Sequence, residues 1–181
     1  MMNFTLTYDG DLKANGTIAH KHEVRRVFHL QLLELWKGTP FSQLRFPSET
    51  LTTTVGKYRF FPLVSAARNE IAELQVIMLR PELGTGYIVG QGGDIDNRLK
   101  TLFDSLRMPK NTNEIPAKDQ PRDNEDPFFC LLEDDILITD LSVATDRLLE
   151  PCTSNSRVKL VIRVQIKKTT MIGANMIITL T

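Results

Sequence analysis

The most constraining feature of the chain is the segment 157–167, in which apolar and polar side chains alternate almost strictly. Successive side chains of a β-strand point to opposite faces, so this period of two predicts a strand with one apolar and one mainly basic face. The apolar face consists of Val158, Leu160, Ile162, Val164 and Ile166, and the other face carries Arg157, Lys159, Arg163, Gln165 and Lys167. The chain is therefore expected to contain a β-sheet.

Hydrophobic periodicity and turn residues predict the remaining elements. The expected strands are 4–8, 71–79, 141–149 and one within 171–181, and the expected helices are 21–36 and 97–106. Residues 39–70 follow no clear pattern. With 181 residues and no internal repeat, the chain is expected to form a single α+β domain over 1–181, in which a mixed sheet packs with two main helices.

Composition excludes several classes of protein. No run approaches eighteen apolar residues, so the sequence predicts no transmembrane helix and no membrane partner. Hydrophobic residues make up 41% of the chain, which is enough to build a core. The two cysteines, Cys130 and Cys152, fit neither a zinc spacing nor a disulfide scaffold. We therefore expect a reduced, cytoplasmic protein.

Charge is distributed unevenly, although the 22 basic and 22 acidic residues cancel. Residues 111–150 contain 11 acidic and 3 basic residues, and residues 151–181 contain 5 basic residues and no acidic one. The segment 107–130 is also punctuated by four prolines, which predicts a mobile acidic insertion loop. Such blocks indicate either solvated faces or an acidic metal site flanked by surfaces that face phosphate.

Two groups of acidic residues are candidates for that metal site. Asp94 and Asp96 stand where the second helix is expected to begin, with Lys100 and Asp104 four and eight residues after Asp96. The second group, Asp134 and Asp135, precedes a short apolar run. Mg²⁺ prefers several oxygen ligands, and an incomplete carboxylate cage leaves positions for a phosphodiester and a water molecule. The same acids are also suited to capping a helix or forming a turn, so both interpretations stay open.

Other catalytic and binding motifs are missing from the sequence. The acidic segment lacks the later ligands of a calcium-binding EF-hand, and no glycine-lysine-serine or threonine sequence of a phosphate-binding loop occurs. All three histidines lie in the N-terminal region, and nothing in the pattern indicates a serine or cysteine nucleophile.

The acidic pattern resembles that of the RusA-type Holliday-junction resolvases. The matching residues are Asp94-x-Asp96-Asn97-x-x-Lys100-x-x-x-Asp104, followed after a linker by Asp134-Asp135. The resemblance covers about residues 90–150, with a compatible closing strand at 157–167. The linker 107–130 is longer than in typical members, and the chain is neutral where the family's small proteins are usually basic.

The resemblance implies a homodimeric endonuclease that depends on Mg²⁺, or on Mn²⁺ as a substitute, and cuts branched DNA such as four-way junctions. It implies that Asp94, Asp96 and Asp135 bind the metal ion and that Lys100 stabilises the phosphate or the transition state. Asp104 and Asp134 have supporting roles in this interpretation.

Two basic surfaces are expected to contact such DNA. One is a stripe at helical spacing on 21–36, formed by His22, Arg25, Arg26 and His29, and the other is the basic face of 157–167, with Arg163 and Lys167. Charges that only keep these elements soluble are the alternative.

Two further functions remain as alternatives to a nuclease. A nucleotidyltransferase also uses an Asp-x-Asp pair with a third acid, although Gly92-Gly93 directly precedes Asp94 here instead of lying well upstream. A non-catalytic DNA-binding accessory protein, whose acids only cap helices, is the other alternative.

Overall fold

The alternating segment becomes part of β7 (Arg157–Ile172), the longest strand of a five-stranded mixed sheet. The computed structural model describes residues 2–38, 51–81, 94–172 and 176–180. Four strands accompany β7 in this sheet: β1 (Met2–Asp11), β4 (Glu70–Arg80), β6 (Ile138–Arg147) and β8 (Met176–Leu180). Strands β1, β4 and β8 pair antiparallel with β7, and β6 pairs parallel with β4 at the edge of the sheet.

Two helices pack against one face of this sheet. They are α1 (Ile18–Lys37) and α2 (Asp94–Leu106). The main core contains Phe28 and Leu32 of α1, Leu102 of α2, and the even-numbered apolar side chains of β7 from Val158 to Ile166. Because the helices cover only this face, the odd-numbered side chains of β7 lie on the open face, as the alternation predicts. The α+β class and the two main helices are thus confirmed.

A second sheet was not expected from the sequence. It consists of β2 (Thr53–Val55), β3 (Tyr58–Val64) and β5 (Phe128–Leu132), with β3 parallel to β5. All five side chains of β5 are buried. Strands that are covered on both faces lack alternation, which explains why the sequence pattern predicted neither β3 nor β5. The expectation of one mixed sheet is therefore corrected to two sheets.

The segment between α2 and β5 is an anchored loop. It runs from 107 to 127, because Phe128 already belongs to β5, and it contains a short 3₁₀ turn at Thr112–Glu114. Its acidic residues Asp119 and Glu125 form ion pairs with α1. These contacts argue against a mobile insertion over 107–130, because the acidic side chains neutralise cations of α1 instead of facing solvent.

The ends of α1 follow local capping rules. The Thr17 hydroxyl oxygen accepts a hydrogen bond from the backbone N–H of His20 at 3.2 Å, and Gly38 follows the last residue. Strand β1 continues beyond residue 8, where the sequence pattern ended it, because Asp9 and Gly10 also pair with β7. Neither of the described helices is long and apolar enough to cross a membrane.

Candidate functional site

Helix α2 carries the first part of the acidic pattern. It begins at Asp94, whose side chain lies outside the described residues. Asp96 and Lys100 are exposed, stand four residues apart on the helix, and form no ion pair with the described side chains. A carboxylate and an ammonium group on one helix edge are therefore available to a ligand from solvent.

Packing on the other sides fixes the orientation of α2. Leu102 and Leu106 are fully buried against the main core. Arg98 donates hydrogen bonds of 3.0 Å to the backbone oxygens of Leu12 and Asn155, which ties the helix to the end of β1 and to the segment before β7. Because buried apolar and guanidinium groups hold α2 on these sides, the edge with Asp96 and Lys100 faces outward.

Asp104 has a different environment from Asp96. Its carboxylate lies 2.6 Å from Lys21 Nζ and 2.9 Å from Arg107 Nη2. Burial raises the pKa of Asp104, but the hydrogen bond and charge of Lys21, together with Arg107, outweigh it and hold the pKa below its ordinary value. Two cations thus neutralise the carboxylate of Asp104. This environment is typical of a residue that links α1 to α2, and less suited to a metal ligand.

Asp134 and Asp135 lie at a 3₁₀ turn, Asp135–Leu137, which we call the acidic turn. Burial raises the pKa of Asp134, but the hydrogen bond from Lys110, at 2.7 Å, outweighs it and lowers the pKa to about 2. Asp135 shares a hydrogen bond with Asp134, and this contact, burial and the neighbouring negative charge raise its pKa. Asp135 has no ion-pair partner among the described residues, so its carboxyl group is the one that a bound cation would stabilise.

The acidic turn packs against α2, but its charged neighbours lie beyond the C-terminal end of that helix. They are Arg107 and Lys110. Asp96 is in the first turn of α2, about 12 Å along the helix axis from Asp104 at 1.5 Å per residue. Within the described residues, no group of three His, Cys, Asp or Glu side chains is placed to hold a metal ion, and the carboxylate of Asp94 is not among them. The structure thus places Asp96 and Asp135 on touching elements without assembling them into one site.

The donor chemistry of these acids fits Mg²⁺. Asp96 and Asp135 offer carboxylate oxygens that no lysine or arginine of the described chain occupies, and hard divalent cations prefer such oxygens. The acidic pattern assigns the ion to these two residues and to Asp94. Asp104 and Asp134 are already neutralised by neighbouring cations.

The basic stripe expected on α1 is not a surface. Arg25 is only 2% exposed, and it donates hydrogen bonds to the backbone oxygens of Arg107 and Asp104 and to Nδ1 of His22. Arg26 is 5% exposed. His22 and His29 are buried as well. The expectation that this stripe forms an exposed basic surface for DNA is therefore wrong.

The physical reason is that the 107–127 loop covers this side of α1. Arg26 Nε lies 2.8 Å from Glu125 Oε1, and Arg26 Nη2 lies 2.8 Å from Asp119 Oδ2. The Arg26 Nη1 group donates to Glu23 on the same helix at 2.6 Å. A stripe of cations at helical spacing is exposed only if no acidic segment packs against it. Here Asp119 and Glu125 do so, although they lie more than ninety residues after Arg26 in the sequence.

The basic face of β7 is partly neutralised. Lys167 Nζ lies 2.6 Å from Glu73 Oε1, and Lys159 lies close to both Asp9 and Glu150. Arg163 is exposed and forms no ion pair with the described residues. It lines an open groove of about 520 Å³ on the sheet. Of the two residues predicted here, Arg163 is the one whose charge no described acidic side chain neutralises.

Polar side chains surround Arg163 in this groove. Thr5 of β1, Gln75 of β4 and Ser142 of β6 lie in the same cross-strand row as Arg163. Asp140 lines the groove one row away, near Glu73. The groove therefore presents hydrogen-bonding groups with one unpaired cation, rather than the strongly positive surface that the sequence suggested.

Sequence reasoning missed the cations that hold the acidic residues. Lys21 and Lys110 each lie within 2.7 Å of a carboxylate of the acidic pattern, and Arg107 lies 2.9 Å from one. Arg107 follows Asp104 by three residues, the spacing of a helical ion pair, and this was the one signal available in the sequence. Lys21 is 83 residues from its partner, and no local pattern predicts such a pair.

No family model matches the chain, and no curated protein matches it either. The likeness to RusA-type resolvases therefore rests on the spacing of the acids and of Lys100 on α2 and at the acidic turn.

Proposed function

We propose that this protein is a Mg²⁺-dependent endonuclease that hydrolyses phosphodiesters in branched DNA. The observation that carries the proposal concerns two parts of the motif. Asp96 and Lys100 are exposed on α2 and form no ion pair with the described side chains, and the turn that holds Asp135 packs against the same helix. Carboxylates of a purely structural cap are usually occupied by backbone groups or cations, as Asp104 and Asp134 are here.

Each residue has a distinct role in this proposal. Asp94, Asp96 and Asp135 would hold the metal ion, which would supply positive charge to the scissile phosphate and lower the pKa of a water molecule. Lys100 places its ammonium group next to the phosphate and stabilises the charge that develops during cleavage. Asp104 and Asp134 are positioning residues, since their ion pairs fix the end of α2 and the acidic turn.

Branched DNA and a homodimer follow from the resemblance to the RusA-type resolvases. A four-way junction presents two equivalent strands, and a two-fold symmetric dimer with one site per subunit is the simplest way to cut both. Arg163 on the sheet is the described cation best placed to meet an arm of the DNA, because none of the described acidic side chains neutralises it.

Cleavage of labelled DNA tests the proposal directly. The substrates are a four-way junction, a flap, a fork and a linear duplex, each with Mg²⁺, with Mn²⁺ or with chelator. The variants Asp96→Asn and Asp135→Asn keep the side-chain shape and remove the charge that a metal ion needs. Asp123→Asn is the matched control, because Asp123 is an exposed aspartate in the 107–127 loop.

The expected result is metal-dependent cutting of the branched substrates by the wild type and by the control variant. The two site variants should lose cleavage but still bind DNA, since removing negative charge reduces repulsion of phosphate. Normal cutting by Asp96→Asn and by Asp135→Asn would contradict the metal site, and cutting in chelator would contradict the metal requirement.

A further inference from the structure

A large aliphatic side chain stands in solvent at the acidic turn. Ile136 directly follows Asp135 and is 80% exposed, whereas the next two residues, Leu137 and Ile138, pack against the main core. Single exposed aliphatic side chains are common on proteins, so exposure alone assigns no role to Ile136. Its position between the candidate metal ligand and the start of β6 is the feature that matters.

The backbone around Ile136 is held from both sides. The carboxylate of Asp134 accepts a hydrogen bond from the Ile136 N–H at 3.2 Å, and the Asp134 backbone oxygen accepts one from Leu137 at 3.2 Å. Lys110 holds the same carboxylate at 2.7 Å. The Lys110–Asp134 ion pair and the packing of Leu137 and Ile138 therefore fix the turn, and the side chain of Ile136 points from it into solvent.

Most of the negative charge near Ile136 is balanced, which lowers the repulsion of an approaching nucleic acid. The Lys110 side chain is about half exposed, and its ammonium group lies 2.7 Å from the Asp134 carboxylate, so this pair cancels one of the two aspartate charges that would repel a phosphate beside an inserted side chain. The adjacent Asp135 carboxyl group is the part of the turn assigned to the metal ion, whose positive charge offsets its repulsion of DNA.

We propose that Ile136 inserts between bases at the branch point of the bound DNA. This inference rests on the proposed nuclease function and adds a residue that selects the substrate. Apolar side chains such as isoleucine act as wedges between base steps, and insertion requires the bases to separate. Stacking is already interrupted at a branch point, so the wedge finds exposed base faces there, whereas a continuous duplex must first unstack.

Binding measured on uncut DNA tests this role. A 2-aminopurine base is placed at the branch of a four-way junction, and Ca²⁺ replaces Mg²⁺ in the binding buffer. The variants are Ile136→Ala, which removes the wedge, and Ile136→Leu, which retains its volume. Leu149→Ala is the matched control, because Leu149 is 84% exposed but lies beyond the far end of the ten-residue strand β6, about 30 Å away at 3.3 Å per residue.

Ile136→Ala should bind the junction about tenfold more weakly and lose the rise in 2-aminopurine fluorescence, with unchanged affinity for linear duplex. Ile136→Leu and Leu149→Ala should behave like the wild type. If the wild type and Ile136→Ala bind the junction with equal affinity, the insertion of Ile136 is contradicted, but the proposed nuclease function is not. A wild type that neither binds nor cuts branched DNA would contradict the proposed function, and the wedge with it.

Discussion

His22 Nε2 lies 3.0 Å from Asp119 Oδ2, joining α1 to the 107–127 loop in the interior of the protein. The other ring nitrogen, Nδ1, accepts a hydrogen bond from the guanidinium of Arg25 at 3.0 Å. Arg25 has no acceptor of its own, so the His22 proton must be on Nε2, where it is donated to Asp119. The ring is therefore neutral and has a single tautomer.

The free energy of unfolding is expected to depend on pH through His22. Burial, and next the charge of Arg25, lower the pKa of His22 from 6.5 to about 4. Because the unfolded chain takes up this proton first, stability should fall between pH 6.5 and pH 4, by at most about 3 kcal/mol. Urea unfolding of the wild type and His22→Gln across this range measures the effect.

His22→Gln supplies an amide donor for Asp119 that does not titrate. The variant is expected to be less stable at pH 7, but its loss of stability between pH 7 and pH 4 should be smaller than that of the wild type. The buried His29 and the carboxylates away from His22 affect both proteins equally, so they cancel in the difference. Asp119 contacts His22, but burial is outweighed by hydrogen bonds from Arg26 and Tyr58, which hold its pKa below its ordinary value, so it titrates mainly below this range. Equal pH dependence in the two proteins would contradict the assignment to His22.

Removal of Arg26 should destabilise the protein strongly. Its guanidinium pairs with Glu125, whose side chain is only 3% exposed, and Arg26→Gln would leave that carboxylate buried without its cation. The expected loss is about 3–5 kcal/mol in the free energy of unfolding. Arg59→Gln is the matched control, because Arg59 pairs with the exposed Asp126 and should cost less than about 1 kcal/mol. Similar urea midpoints for the two variants would show that the ion pairs of Arg26 with Asp119 and Glu125 do not stabilise the 107–127 loop.

The sequence predicted the elements that are covered on one face. Strand β7 and helix α2 have a core side and a polar side, so their apolar residues recur with the period of the element. Periodicity did not predict strands β3 and β5, because nearly all of their side chains are buried and no alternation results. Their partners lie more than sixty residues apart in the chain, and a local window contains no signal for that pairing.

Charge patterns were informative on α2 and misleading on α1. At α2 the four-residue spacing of Asp96 and Lys100 implied one side of the helix, and both side chains are exposed there. On α1 the same reasoning failed for Arg25 and Arg26, because a cation counts as exposed in a sequence pattern unless its distant partner is known. Whether a charged residue faces water or an ion-pair partner depends on which distant segment packs against it. For α1 that segment is the 107–127 loop.

Lys100 is expected to act on the chemical step. Lys100→Met keeps most of the side-chain length on an exposed helix edge and removes the charge, so folding should be unaffected. The single-turnover cleavage rate of the junction should fall about a hundredfold with little change in affinity, as for the loss of one donor to a developing negative charge. Lys118→Met, at an exposed lysine of the 107–127 loop, is the control. An unchanged rate for Lys100→Met would exclude Lys100 from the reaction.

Salt dependence should separate Arg163 from Lys167, although both lie on the open face of β7. Arg163 has no acidic partner in the described chain, whereas Lys167 is held by Glu73 at 2.6 Å. If Arg163 contacts a phosphate, Arg163→Gln should weaken junction binding and reduce the slope of log affinity against log salt by about one. Lys167→Gln should change the slope less, because its charge is already neutralised. The slope is measured by fluorescence anisotropy with Ca²⁺ in place of Mg²⁺. An unchanged slope for both variants would place the DNA away from this face of the sheet.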